Sequence, residues 1–344
     1  MNYLLPCLLM SSLFLQASSE ITPEKVSPKE FTSGAYVYNA PLSARFTIPR
    51  AGSESDIVYY HSVPNDIDSY PIAILCTGSS SRDAVSSIIH FHRYFLKEFN
   101  DMGFGAITIE QQGVDGNAID VDEFMHHYTR SARLSDHEQV INYLIENPPA
   151  RWDGKFCFLG VSEGGPIVTT LTMRYPSYTI ATLNWVGAGD YSWKDELWEF
   201  IDAAKRAMPW YVKCQLFLCT RLPKWMPFSI EFPYNKKILE DKMIEMINNP
   251  SINEEYLGMT YKYHADTAND YPKNDYSQIK TPFLVVSGGK DSGSSSCVDF
   301  VSKAKAAGAP IIYWSIPEMG HYIRKRPDVI EKSFDWLQSI VVDS

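Results

Sequence analysis

Three residues that together could carry out acyl transfer occur in this sequence in settings that suit such chemistry. They are Ser162, Asp291 and His321. Ser162 lies in Gly160-Val161-Ser162-Glu163-Gly164, after the apolar run 155–159 and before a helix-like run at 165–173. A serine on a sharp turn from strand to helix has its hydroxyl forced outward, and small residues two before and two after it let the flanking backbones approach. A serine hydroxyl is a weak nucleophile until a base takes its proton and an acid orients that base. Both follow in chain order. Asp291 ends Val285-Val286-Ser287-Gly288-Gly289-Lys290-Asp291, a strand running into a glycine turn. His321 ends the loop Pro317-Glu318-Met319-Gly320-His321, after a strand at 311–316. Asp190, reached through Gly187-Ala188-Gly189, is an alternative acid. Singly, each has a plainer use, as a turn serine, a helix-capping aspartate or a surface histidine. Their order, each behind a separate strand-like run, is what points to chemistry.

Attack on a carbonyl also needs donors aimed at the developing oxyanion. One is expected to be the backbone N–H of Glu163, the residue after the serine. The second should come from the loop Thr77-Gly78-Ser79-Ser80-Ser81-Arg82, whose small residues let the backbone turn its amides into a cleft. Ser79 is the favoured donor, with Ser80 open.

Groups placed this way need strands that end on one side of a sheet. Strand-like runs at 71–76, 105–109, 156–159, 182–186, 281–287 and 311–316 alternate with helical runs at 85–100, 131–146, 298–307, 328–340 and the one after Ser162. Such alternation implies an α/β class with a mostly parallel sheet covered by helices on both faces. Sites in such sheets lie at the carboxyl ends of the strands. Runs at 44–48 and 56–60 read as edge strands. Residues 191–278 break the alternation. They hold Trp193, Trp198, Trp210, Trp225, Met208, Met226, Met243, Met246 and Met259, and read as a helical cap insert whose inner face roofs an apolar pocket. The hydrolytic core would then comprise 20–190 and 279–344.

The formal net charge is −10 and the densest basic cluster is Arg324-Lys325-Arg326, so no basic face for nucleic acid is expected. Residues 4–15 form an apolar run of secretory length followed by Ala17-Ser18-Ser19. This predicts a signal peptide over 1–19 and an exported, periplasmic or secreted, protein, although Met1-Asn2-Tyr3 lacks a basic residue. The run is too short for a stable membrane span. Of six cysteines, Cys76 and Cys157 fall in predicted core strands, Cys7 lies too early for lipid attachment, and Cys214 and Cys219 could pair in an oxidising compartment. His137-Glu138 begins a zinc-like motif, but Ile141 stands where its second histidine should be. No metal or other cofactor is expected.

Gly160-Val161-Ser162-Glu163-Gly164-Gly165 resembles the G-x-S-E-G-G elbow of exported carboxylesterases and of their dienelactone-hydrolase-like and prolyl-oligopeptidase-like relatives in the α/β-hydrolase superfamily. The resemblance covers about residues 70 to 340. It implies Ser162 as nucleophile, Asp291 as acid and His321 as base. Two departures stand out. The loop Gly78-Ser79-Ser80-Ser81-Arg82-Asp83 is shorter than the usual one and lacks its second glycine. The acidic-Arg-Gly segment after the next strand is Glu110-Gln111-Gln112-Gly113, without the arginine.

These features predict a serine hydrolase acting on a carboxylic ester through an acyl-enzyme. A peptidase remains the runner-up, with Glu196, Glu199 and Asp202 as a rim for a peptide amine. An acyltransferase or thioesterase of the same fold stays open, as does a catalytically dead binding protein, which the intact constellation argues against. The expected partner is a small-molecule or peptide acyl substrate.

Overall fold

The computed structural model describes residues 43–343 apart from 66, 117, 188, 190, 223–225, 227–232, 234 and 270–273. The expected signal peptide at 1–19, Cys7, Asp190 and Trp225 therefore lie outside the described residues.

The described residues begin with β1 (Ser43–Pro49) and β2 (Asp56–Ser62), an antiparallel pair in which Phe46 faces Tyr59. β2 is rich in β-branched and aromatic residues, which fit a pleated surface. Next come β3 (Tyr70–Cys76), α1 (Ile89–Asp101) and β4 (Gly105–Ile109). A small hairpin of β5 (Val114–Asp115) and β6 (Ala118–Ile119) leads into α2 (Val121–His127) and α3 (Arg130–Glu146). β7 (Trp152–Val161), α4 (Gly164–Arg174) and β8 (Thr179–Trp185) follow. Then come α5 (Trp193–Ala207), α6 (Trp210–Cys219), α7 (Lys236–Asn248), a hairpin of β9 (Glu255–Tyr256) and β10 (Met259–Thr260), and α8 (Tyr261–Asn269). β11 (Phe283–Gly288), α9 (Ser294–Ala306), β12 (Ile311–Ile316) and α10 (Pro327–Asp343) complete it.

Eight strands form one sheet in the order β1-β2-β4-β3-β7-β8-β11-β12. The six from β4 to β12 run parallel, and β2 joins β4 antiparallel. Successive side chains of a strand point to opposite faces, so β3 serves two cores at once. Ala73 and Leu75 pack with Phe95, Phe99, Trp185 and Phe334 on one face. Ile72 and Ile74 pack with Val140, Ile141, Phe158 and Leu171 on the other. Burying both faces is why these strands read as continuous apolar runs.

Strand positions match the sequence expectation closely, and two helix starts do not. α9 begins at Ser294 rather than at 298. α1 begins at Ile89 rather than at 85. The carboxylate of Glu110 accepts hydrogen bonds from the Ser87 hydroxyl and the Ile88 amide (3.0 Å), and the Ser87 hydroxyl accepts from the Ile89 amide (3.0 Å). These bonds hold 87–88 outside the helix. Burial raises the Glu110 carboxyl above its ordinary value, and its hydrogen bonds partly offset this.

Among the described residues, none between β8 and β11 joins the eight-stranded sheet. Leu197, Ile201, Leu216, Leu239, Met243 and Met246 make a separate core there. Met259 and Tyr263 pack instead against Phe124, Met125 and Tyr128. Trp210 faces solvent. Cys214 and Cys219 are not joined to each other. Both lie on α6 five residues apart, which on an α-helix separates Cα atoms by roughly 8–9 Å, beyond disulfide reach.

Three histidines, His61, His137 and His264, are buried, and burial pushes each down to about 4. His264 is further constrained. The Trp193 indole N–H donates to Nδ1 (3.1 Å), while Nε2 donates to the Tyr256 carbonyl (2.8 Å). Nδ1 must therefore carry no proton. These rings are protonated more readily in the unfolded chain, so stability should fall as pH drops from about 6.5 towards 4. Each histidine contributes a slope of order 1 kcal/mol per pH unit in that window. Urea midpoints at pH 7, 5.5 and 4.5 should decline steeply. A flat profile would mean that these rings ionise in place.

Candidate active site

Gly160 and Gly164 make the turn around Ser162 possible. A Cβ at Gly160 would stand 2.4 Å from the Gly164 carbonyl oxygen, and one at Gly164 would stand 2.2 Å from the Cys76 carbonyl oxygen. Ser162 itself has φ +54°, a left-handed conformation that L-residues rarely adopt. It is pinned there by its amide donating to the Trp185 carbonyl (3.1 Å) and its carbonyl accepting from the Gly165 amide (2.8 Å). A residue held in that region stores about 1 kcal/mol or more of strain, a cost that clusters at functional sites.

The turns after β11 and β12 are bonded to each other, which brings the acid and the histidine together. The Gly289 amide donates to Ile316 (2.8 Å) and the Lys290 amide to Met319 (2.9 Å). His321 Nδ1 lies 3.1 Å from both carboxylate oxygens of Asp291, and its Nε2 lies 2.9 Å from Ser162 Oγ. Asp291 is buried and its Oδ1 also accepts from the Gly293 amide (3.0 Å). Phe200 of α5 meets the His321 ring edge to face at 5.7 Å. Three residues distant in sequence thus stand in one hydrogen-bonded line. Asp190, the alternative acid, is outside the described residues.

The loop after β3 passes beside Ser162. A Cβ on Gly78 would stand 3.0 Å from the Ser162 Cβ. The Ser80 amide donates to the Tyr128 hydroxyl (3.1 Å), so it is already committed. The Gly78 carbonyl accepts from Arg133 (3.3 Å) and the Thr77 carbonyl from the same guanidinium (2.7 Å). In a planar trans peptide the N–H points opposite to the C=O. Holding the Gly78 carbonyl on Arg133 therefore turns the Ser79 N–H away from that guanidinium.

Behind the loop sits an arrangement that the sequence did not reveal. The buried Glu163 carboxylate accepts from Arg133 (2.6 Å), Tyr128 (2.8 Å) and Tyr263 (2.5 Å), and Arg130 lies 3.7 Å away. Burial pushes the Glu163 carboxyl up, but Arg133, Arg130 and the two tyrosines outweigh it and hold the group below its ordinary value. The tyrosine rings stack on each other at 5.3 Å. Tyr128 and Arg133 flank the cap of α3, and Tyr263 comes from α8, so no spacing within one segment could have announced them.

Two groups proposed for a peptide amine are already engaged. Glu196 is buried and accepts from Ser296 (3.2 Å), and Asp202 pairs with Arg206 (2.6 Å). His137, the start of the incomplete zinc motif, donates Nδ1–H to the Arg133 carbonyl (2.7 Å). Among the described residues no group of three His, Cys, Asp or Glu side chains could hold a metal.

No protein-family model and no curated protein sequence matches the chain. Solved structures do. A hyperthermophilic esterase from the archaeon Pyrobaculum calidifontis aligns with 97% of this chain and 98% of its own, at 12% identity and TM-score 0.58. A thermostable carboxyl esterase from Bacillus coagulans aligns with 88% of this chain and 99% of its own, at 13% identity and TM-score 0.57. A candidate dipeptidyl aminopeptidase IV from Bacteroides ovatus aligns at 15% identity and TM-score 0.51, and there the match to 86% of this chain spans only 35% of the larger protein. At these identities the likeness concerns the fold. The chain has the α/β-hydrolase fold.

Proposed function

We propose that this protein is a serine hydrolase that cleaves a carboxylic ester through an acyl-enzyme. The observation that carries the reading is the line from Ser162 Oγ to His321 Nε2 (2.9 Å) and from His321 Nδ1 to Asp291 (3.1 Å), on a serine held at positive φ. His321 would take the Ser162 proton as Oγ attacks the acyl carbon. Asp291 would hold the imidazole with Nε2 facing the serine and stabilise the imidazolium that forms. The oxyanion would be met by the amides of Glu163 and Ser79, since the Ser80 amide is bonded to Tyr128. The imidazolium would give its proton to the leaving alcohol. A water deprotonated by His321 would then release the acid and restore Ser162.

An ester is favoured over a peptide because two of the three rim carboxylates, Glu196 and Asp202 but not Glu199, are engaged by Ser296 and Arg206. We further propose that 191–278 serves as a cap over a core of 20–190 and 279–344. Export through a leader at 1–19 belongs to the same reading, and the intact mass of the mature protein checks it.

Labelling by a fluorophosphonate, read by intact mass, tests the nucleophile. One adduct is expected, absent from Ser162→Ala. An adduct that survives in the variant would place the nucleophile elsewhere, and no adduct on folded protein would favour a binding role.

A further inference from the structure

α6 is apolar on both sides. Val212 and Leu216 are buried, while Trp210 (75% exposed), Tyr211 (54%) and Leu218 (63%) lie on the opposite face with Cys214. A helix apolar all round belongs in a core or against a membrane. That face of the helix is left largely open among the described residues.

The stretch of sequence that holds it is basic, whereas the chain as a whole is acidic. The protein has a formal net charge of −10, yet residues 203–230 hold Lys205, Arg206, Lys213, Arg221 and Lys224 and no Asp or Glu. Arg206 is offset by Asp202 one turn earlier. Lys213 donates to the Arg206 carbonyl (3.2 Å) and Arg221 lies over the Phe217 ring (3.8 Å), and neither has a carboxylate partner among the described residues. Lys205 lies over the Trp198 ring (5.4 Å). Exposed aromatics on a helix that carries Lys213 and runs into Arg221, on an acidic protein, match one surface in particular. Tryptophan and tyrosine settle at the headgroup level of a bilayer, and lysine and arginine are drawn to anionic headgroups.

We propose that the exposed face of α6, with Lys213 and Arg221 beside it, docks the protein on an anionic lipid surface. The helix would lie in the interface, since no helix among the described residues is long and apolar enough to cross a membrane. α5, which sets Phe200 against His321, runs directly into α6, so docking would hold the mouth of the candidate site near that surface. The proposal does not depend on the hydrolase reading.

The test is co-sedimentation of the purified full chain with vesicles of phosphatidylcholine alone or with about one-third phosphatidylglycerol. Each basic residue near such a surface contributes about fivefold in partitioning. Binding to the mixed vesicles is expected at low salt, and at least about tenfold weaker binding to neutral vesicles or in about 0.5 M salt, where screening is short-ranged. Lys213→Glu/Arg221→Glu and, separately, Trp210→Ser/Leu218→Ser should each lower partitioning by about tenfold or more with thermal unfolding unchanged. The first keeps the apolar face and the second keeps the charge, so a folding defect in one leaves the other informative. Equal binding to both vesicle types, or undiminished binding by both variants, would overturn the proposal. A wild-type dimer that ignores vesicles and that Trp210→Ser/Leu218→Ser makes monomeric would overturn it in favour of a second copy of the chain.

Discussion

Ser162→Gly should abolish turnover and stabilise the fold in one step. Removing the nucleophile of a Ser-His-Asp constellation lowers kcat by roughly 10⁵- to 10⁶-fold, because the remaining members have nothing to activate. Ser162 also sits at φ +54°, where a Cβ costs about 1–2 kcal/mol and glycine costs nothing steric. Glycine is more disordered in the unfolded chain, which returns roughly half of that, so a net gain of about 1 kcal/mol is expected. Ser162→Ala should lose the same activity without the gain. Initial rates on a p-nitrophenyl acyl ester and urea unfolding of both variants separate the two effects. Activity in either variant within about tenfold of wild type would remove Ser162 from the mechanism. Glycine no more stable than alanine would show that the turn holds no strain.

Glu163→Ala should be the most destabilising single change near the site, at about 3–5 kcal/mol. Breaking a buried ion pair leaves its partner charged and dry. Arg133 would be left so, Arg130 would lose a carboxylate 3.7 Å away, and the hydroxyls of Tyr128 and Tyr263 would lose their acceptor. The damage should reach catalysis, because Arg133 and Tyr128 hold the loop at 77–80. Glu163→Gln, which keeps the shape and some hydrogen bonds, should lose less than Glu163→Ala. Denaturant midpoints rank the three proteins, and wild-type stability in Glu163→Ala would mean that the two arginines find other partners. The pH dependence has a definite sign. The Glu163 carboxyl is held below its ordinary value, so its contribution is complete above that value and is lost as pH falls through the lower folded one. That loss sets in only at the acid end of the window in which the three buried histidines act and continues below it, so it should steepen and prolong their decline.

The parallel sheet, its strand positions and the order Ser162, Asp291, His321 were legible in the sequence, because each depends on local information. A buried parallel strand must be a short apolar run, and a nucleophile on a turn needs small neighbours at fixed offsets. The start of α1 was not legible, since it depends on Glu110 reaching Ser87 and Ile88 from just beyond the end of β4. That Trp210 faces solvent was not legible either, because composition alone does not say which side of α6 the neighbouring helices cover. The support of Glu163 was equally hidden, as Tyr128, Arg133 and Tyr263 meet only when α3 and α8 pack together.

By itself, then, the sequence determined the fold class and the chemical types at three strand ends, through periodicity and spacing along one chain. Tertiary structure decided which amide after β3 is already bonded, what a buried carboxylate beside the serine holds in place, and which aromatic face is left open. Those outcomes depend on distances between segments that share no pattern, and only packing sets them.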